Sequence, residues 1–405
     1  MSNTNLTIDM ITKEALSIAH EKATFVGTID RTYDDQFAKT GAKIGSSLRI
    51  RKPNQYTVRT SGRVMDVQDQ DEGSVSLTLA TQYGVDMRFN SAELSLEIDE
   101  FSKRYIQPAM AVLVSKIDSA CIETATKAVY NVVGTPGTVV GASGDISALG
   151  GARAKLNQYL APKDGNRVLQ LDSVTMASVS NGIKSLFEDR GQVKEAFREG
   201  FITRSAMADF YENERTYTHT VGSDVTVSTS ASAGVTDGGT TITMNSSDGN
   251  IKEGDVFTVA GVYSCHPETK KAYSHLQQFV ATADSTGAVT VSPPTYLTGP
   301  KQNVCSSTSA QLATTAFNSQ VMTFVGTAST AYRHNLMYHK DAFTFVSADL
   351  PLMDDAHKCV RMTQDGLSLR VWQGSDIRND ELLMRLDMLW GFKAIRPEWA
   401  ARITN

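Results

Sequence analysis

From Val221 to Asn250 the sequence contains no lysine and no arginine, unlike the charged, amphipathic segments on either side. Gly, Ser, Thr, Asp and scattered β-branched residues fill the gap. That composition reads as a separately folded β module spliced into a host domain.

Other absences narrow the chemistry. No apolar run reaches membrane-spanning length, and the polar N-terminus, Met1 to Asp9, lacks the layout of a secretory signal, so maturation in a cytoplasm is expected. The four cysteines, Cys121, Cys265, Cys305 and Cys359, are scattered and form no CxxC pair. This argues against a disulfide framework and a structural zinc site, leaving free thiols. Lys and Arg number 39 against 44 Asp and Glu, for a formal charge of −5. The chain therefore has no strongly basic footprint of a sequence-specific nucleic-acid binder.

There is no P-loop, GxGxxG, GxSxG or HExxH. In Gly141-Ala142-Ser143-Gly144 the second glycine comes one residue too early for a nucleophile elbow, so a loop serine is the better reading. His334 and His339 are five apart and His357 lies two before Cys359, but neither spacing has a matching second pair for a metal. Asp66, Asp69, Asp71 and Glu72 lack the Gly-then-Glu order of a calcium loop and read as a solvated turn. No enzyme activity, metal or cofactor is expected.

What is present is architectural. A chain of 405 residues with 41% hydrophobic content can bury a sizeable core and divide into two or three domains. In the β module, Val225, Val227, Ile242, Met244, Val256, Phe257, Val259, Phe279, Val289 and Val291 fall in short, largely alternating runs. Asp237-Gly238-Gly239, Asp248-Gly249-Asn250, Glu253-Gly254-Asp255 and Thr286-Gly287 supply turns, and the spacing suggests a small barrel or sandwich. Ser228 to Gly239 reads equally well as a flexible linker.

Near the N-terminus, Leu48-Arg49-Ile50-Arg51 and Val75-Ser76-Leu77-Thr78-Leu79 alternate with the period of half-buried antiparallel strands. The hairpin between them is bipolar. Arg49, Arg51, Lys52, Arg59 and Arg63 crowd one limb, while Asp66, Asp69, Asp71 and Glu72 crowd the tip and return. An isolated two-stranded hairpin is marginally stable in water. A long charged one therefore points to a neighbouring chain on which it lies, and these nine residues are the candidate inter-subunit contacts. The plainer reading is a surface hairpin whose limbs neutralise each other.

A long helix follows, with Ile106, Met110, Leu113, Ile117, Ala120, Thr124 and Ala128 at steps of three and four, running to about Val129. Pro108 suits a first turn, so either the helix starts near Gln107 or a shorter helix over Glu93 to Tyr105 joins it at a kink, the favoured reading. Residues 147 to 216 mix helices (Ala148 to Tyr159, Ser173 to Leu186, Gln192 to Arg198) with strands around Arg167 to Leu171 and Phe201 to Ala208. Strands resume at Gln320 to Gly326, Leu336 to His339, Phe343 to Phe345, Leu367 to Val371 and Leu382 to Trp390.

In this order the chain resembles the P22-type coat proteins, major capsid proteins of tailed bacteriophages with the HK97-like fold. The resemblance is carried by Tyr338-His339-Lys340-Asp341-Ala342-Phe343, Ala348-Asp349-Leu350-Pro351, Asp376-Ile377-Arg378-Asn379-Asp380 and Leu386-Asp387-Met388-Leu389-Trp390-Gly391-Phe392-Lys393 leading to Arg396-Pro397-Glu398. Tyr105-Ile106-Gln107-Pro108-Ala109 through Lys116-Ile117-Asp118, and Gly254-Asp255 with Ala260-Gly261-Val262, are similar too.

The resemblance implies an α+β, HK97-like architecture with an inserted all-β, barrel-like domain. Residues 1–45 would be an N-terminal arm, 46–82 an extended loop, 83–135 a peripheral domain with its spine helix, 136–216 and 319–378 an axial domain, 217–318 the insertion, and 379–405 strands returning to the peripheral domain. It implies self-assembly as hexamers and pentamers into an icosahedral shell around double-stranded DNA, which it would touch weakly and non-specifically. Scaffolding protein and a portal would be partners, and no membrane. The location would be the virion, after assembly in the bacterial cytoplasm. A tail or adhesin-type protein would explain the β module but not the helix over Ile106 to Val129, and a hydrolase requires a constellation that is missing.

Overall fold

The helical spacing across residues 106 to 128 and the alternation elsewhere become regular elements in a computed structural model. It describes the chain apart from residues 1–7, 34–46, 59–61, 64, 66, 70–71, 91–101, 143–144, 185–203, 206–207, 231–233, 246–249, 354–357, 365–366, 377–378 and 380. Among the described residues, α-helices form at Ile8–Lys22 (α1), Gln107–Ala128 (α2), Ser147–Gln158 (α3) and Ser173–Lys184 (α4). Helix α2 starts at Gln107, directly after a π-helical turn at Ser102–Ile106. Pro108 is its second residue, where no intrahelical N–H partner is needed. Of the expected shorter helix, Glu93 to Phe101 lies outside the described residues, as does Gln192 to Arg198.

Two units emerge: Met1–Ile50, Ser74–Ile122 and Phe343–Ile395 form one, and Arg51–Gly73, Glu123–Ala342 and Arg396–Asn405 the other. The first is built on a five-stranded antiparallel sheet. Glu381–Ala394 lies at its centre, between Phe343–Ala348 and Leu367–Asp376, with Lys358–Gln364 beyond the latter and Thr81–Asn90 also paired to it. That last pairing runs unbroken from Thr81↔Trp390 to Asn90↔Glu381. The sheet buries Val346, Leu350, Leu389 and Ile395 against Ile50, Leu77 and Leu79 of the hairpin base.

The described part of the expected N-terminal arm packs on its own unit. Helix α1 lies against Lys358–Gln364 and Leu367–Asp376. Phe25 is buried and its ring sits 5.9 Å from Phe343 and 6.1 Å from Phe392. Asp118 of α2, fully buried, accepts hydrogen bonds from the backbone N–H groups of Thr24, Phe25 and Val26 and from the Thr24 hydroxyl. One carboxylate thereby gathers the donors that lead into the Val26–Thr28 turn, and Asp30 bridges to Thr344.

The second unit contains two sheets. In the mixed one, the order is Val132–Val133, Ala400–Thr404, Ala331–His339, Arg167–Leu171, Ala208–Glu212, Arg204–Ser205, and Tyr217–Thr220 pairs with the first half of Ala331–His339. One face is covered by α3 and α4 through Leu149, Leu156, Met176 and Val179 packed on Leu169, Met337, Ala401 and Ile403.

The other sheet has the order Gly239–Thr243, Ala288–Thr295, Ala272–Ala281, Val256–Cys265, Val321–Phe324, Thr226–Ser228, with Val304–Cys305 also on Val256–Cys265. Its two ends meet: Thr229 bridges Met244, Ser230 N–H donates to Thr243 O at 3.0 Å, and Asn245 N–H to Ser228 O at 2.9 Å. The sheet is thus closed as a barrel, which removes free edges. Val227, Ile242, Met244, Phe257, Val259, Phe279, Val289 and Val291 fill its core as the alternation predicts, and Val225 packs against it. The linker reading of Ser228 to Gly239 does not hold in its described part, because Val235 is buried and Asp237 accepts from Leu297 N–H at 2.6 Å.

Strand partners place several edges differently from the sequence reading. Tyr217–Thr220 belongs to the mixed sheet and Val321–Phe324 to the barrel. Phe343–Asp376, expected in the axial part 319–378, pairs within the first unit's sheet, and Ala400–Thr404 joins the mixed sheet rather than returning with Glu381–Ala394. Within the expected strand over Phe201 to Ala208, Arg204–Ser205 is a strand paired to Ala208–Glu212, and residues 201–203 and 206–207 lie outside the described residues.

Candidate assembly surface

The hairpin's base is ordinary sheet. Ser47–Arg51 pairs with Ser74–Thr78, and the ladder continues one step through Lys52 N–H to Gly73 O at 2.7 Å. Alternation decides which side chains turn inward: Ile50 and Leu77 are buried, while Arg49 and Arg51 point to water. Arg49 Nε donates to Ser74 Oγ at 2.8 Å. Arg51 pairs with Glu72 at 3.3 Å, with side chains 78% and 52% exposed. Such a pair is worth about 0–1 kcal/mol and is screened by salt.

Beyond Lys52 no regular strand forms among the described residues until Ser74. Among the described residues the limbs are tied by the Gln68 side chain. Gln68 accepts from Thr57 N–H at 2.9 Å and donates to Thr57 O at 2.6 Å, imitating a strand partner with its amide. Arg63 and Asp69 are exposed, and Arg59, Asp66 and Asp71 lie outside the described residues. Of the nine charged candidates, Arg51 and Glu72 are brought together within the chain, and Arg49 is spent on Ser74.

The larger feature is apolar, and the charge-led reading passed over it. Tyr56, Val58, Met65 and Val67 are 59%, 89%, 78% and 77% exposed. They fall in two pairs spaced i, i+2, one on each limb of the hairpin. That spacing was visible in the sequence. Covering a Val or Met side chain fully contributes about 1.5–3 kcal/mol, more than an exposed ion pair returns.

The motif fragments weighed for chemistry fall apart in space. His339 Nε2 meets Asp164 Oδ1 at 3.0 Å, whereas His334 stands beside His219, ring centroids 6.0 Å apart. His357 lies outside the described residues. Gly141 takes a positive φ of 88° against the backbone of Ser178 and Val179, and Ser143 lies outside the described residues. All four cysteines are free, three of them buried.

Comparison with known proteins follows this geometry. A family model described as P22 coat protein, gene protein 5, matches residues 3–402. A search of curated proteins gives no match. Among solved structures, a chain of Mycobacterium phage Che8 is similar at a TM-score of 0.50 and 10% identity, over 94% of this chain and 90% of that one. The capsid structure of Cyanophage P-SCSP1u is similar at 0.42 and 12% identity, over 89% and 83%. The mature capsid of bacteriophage PhiM1 follows at 0.43 and 9%, over 89% and 82%.

Proposed function

The chain belongs to the P22 coat protein family, and from that premise we propose that its copies tile the icosahedral head of a tailed bacteriophage as hexamers and pentamers around double-stranded DNA. It is a major capsid protein with the HK97-like fold. The match over residues 3–402 carries this reading. The exposed apolar pairs on the hairpin support it, because a lone subunit leaves Val58 and Val67 in water.

In the shell, the hairpin lies across an adjacent copy. Tyr56, Val58, Met65 and Val67 supply the adhesion, and Arg49, Arg51, Lys52, Arg59, Arg63, Asp66, Asp69, Asp71 and Glu72 set the register. Closure multiplies many modest contacts, as in obligate interfaces, which commonly bury about 2,000–5,000 Å². A net charge of −5 suits a wall facing packaged DNA, since a strongly basic one would bind it and impede its movement. Scaffolding protein and portal are the assembly partners, the host cytoplasm is the place of assembly, and the work is structural rather than catalytic. The barrel over Thr226–Phe324 serves as an inserted domain within the axial part.

Negative-stain microscopy of the purified protein, expressed with and without its scaffolding protein, tests this. Shells or capsomer-sized rings are expected. Elongated fibres would establish the tail-protein alternative, and small monodisperse particles under both conditions would overturn the reading.

A further inference from the structure

The mixed sheet has two faces, and only one is covered by α3 and α4. Strand register puts His334 opposite Thr404 on one side and Tyr217 on the other, with Leu336 opposite Arg402 and Tyr332 opposite His219. Residues two apart share a face. Arg402, His334, Tyr217 and His219 therefore stand together on the face away from Met337, Ala401 and Ile403.

Arg402 is 1% exposed and joins three pieces of chain. Its Nε donates to Val129 O at 2.7 Å and its Nη2 to Lys127 O at 3.3 Å, both carbonyls left open at the C-terminal end of α2. Its Nη1 donates to Gly254 O at 2.8 Å, in the barrel's turn before Val256–Cys265. A cation at a helix C-terminus is well placed, and here it also holds the barrel. Gly254 has φ of +100°, and a Cβ there would meet Lys127 Cγ at 3.1 Å and His219 Cε1 at 3.2 Å. The turn is seated with no room to spare.

The neighbouring groups leave this cluster close to charge balance. Asp255, 2% exposed, takes His219 Nε2 at 2.7 Å and the N–H groups of Lys252 at 2.8 Å and Gly222 at 3.1 Å. Lys127 is already committed to Glu123 at 2.9 Å and Glu253 at 3.2 Å, and lies over the Tyr217 ring. His334 is 6% exposed, its Nδ1 makes no hydrogen bond among the described residues, and its neighbours are the Arg402 guanidinium and the His219 ring. A proton added there would be a second buried positive charge beside Arg402.

We propose that Arg402, Asp255, His219 and His334 form an acid-sensitive latch, which seats the barrel on the end of α2 at neutral pH and loosens that seat in mild acid. Burial, then the Arg402 charge, then His219, hold the His334 imidazole well below its ordinary value. The neutral ring is thus the form that fits the fold. The stability it supports is complete above the ordinary histidine value of about 6.5 and is lost progressively as pH falls below it. The latch belongs to the single subunit, so it stands or falls separately from shell assembly.

Hydrogen exchange with mass spectrometry on the unassembled full-length subunit reads it out. Peptides spanning 126–132 and 250–258 are followed at pH 7.5 and 5.0 after correction for intrinsic rates. Protection in both is expected to fall at least tenfold in acid, while the α3 and α4 peptides keep theirs. His334→Gln should abolish most of that fall, and Arg402→Gln should remove the protection at both pH values. Equal protection of the wild type at pH 7.5 and 5.0 overturns the proposal, whatever the variants do. So does an undiminished acid response in a folded His334→Gln protein.

Discussion

Gly84 stands opposite Asp387 in the long pairing of Thr81–Asn90 with Glu381–Ala394, and a Cβ on Gly84 would lie 2.5 Å from Asp387 Oδ1 and 2.9 Å from Leu386 O. The carboxylate cannot step aside. Arg370 Nη2 holds one oxygen at 2.7 Å and Arg385 Nε the other at 2.7 Å.

Gly84→Ala should therefore destabilise the chain by about 1–3 kcal/mol, the usual cost of forcing extra atoms into a packed site. A urea midpoint equal to wild type would show that the strands part without cost.

Removing the carboxylate should cost more. Arg370 has a side chain only 5% exposed, and its ion-pair partner Asp387 is 0% exposed. Asp387→Ala leaves a buried guanidinium without its counter-charge, and about 3–5 kcal/mol is expected. Replacing both partners, as Arg370→Met with Asp387→Leu, should recover much of that loss. A double variant no more stable than Asp387→Ala would mean the pair does more than cancel its own charges.

Asp118 makes the matching prediction for the N-terminal segment. Asp118→Ala strands the donors of Thr24, Phe25 and Val26, which are satisfied by that carboxylate. A loss of about 3 kcal/mol is expected from several unsatisfied buried groups. Hydrogen exchange should show faster exchange at residues 24–28 first, and unchanged protection there would refute the anchoring role.

Two titratable side chains, Lys155 on α3 and His275 on the barrel strand Ala272–Ala281, give a pH dependence. Burial, then the charge of Lys155, lowers His275 to about 4, and burial lowers Lys155 to about 8. Both folded-state values lie below the unfolded ones, so the unfolded chain binds more protons in each window. The contribution of His275 to stability should rise from pH 4 to about 6.5, and that of Lys155 from pH 8 to about 10.4. Lys155→Met should raise the His275 titration midpoint, measured by exchange at the imidazole carbon. An unmoved midpoint would show the two side chains do not sense each other.

The hairpin separates adhesion from register. Val58→Ser with Val67→Ser should raise the critical concentration for assembly at least tenfold, because each lost burial is worth about 1.5 kcal/mol or more and about 1.4 kcal/mol is tenfold. Arg51→Glu should act more weakly, and its effect should shrink in high salt. Both variants should melt as the wild-type subunit does. Normal assembly by the double serine variant would leave those apolar pairs without a role.

Much of this was legible locally. The spacing over Ile106 to Ala128 foretold α2, and the inward residues of the barrel were readable one by one, because a side chain's face follows from its number within a regular element. Thr81–Asn90 was equally readable, with Tyr83, Val85, Met87 and Phe89 alternating against Gln82, Gly84, Asp86 and Arg88, yet no strand was assigned there. At the hairpin, clustered charge drew the reading toward nine ionic residues, while the four apolar side chains between them went unremarked. Nothing local announces that Asp118, 94 residues from Thr24, collects the donors of the N-terminal segment.

The amino-acid order alone determined where the chain coils, where it extends and which side of each element is greasy, since those properties rest on neighbours within a few positions. Only the tertiary structure decided that Ala400–Thr404 joins Ala331–His339, that one guanidinium gathers carbonyls from α2 and the barrel, and that the barrel closes through Thr229 and Met244. Those pairings depend on competition among all strands and donors for burial at once, and a hydrogen bond between residues 148 apart in sequence leaves no periodic trace at either end.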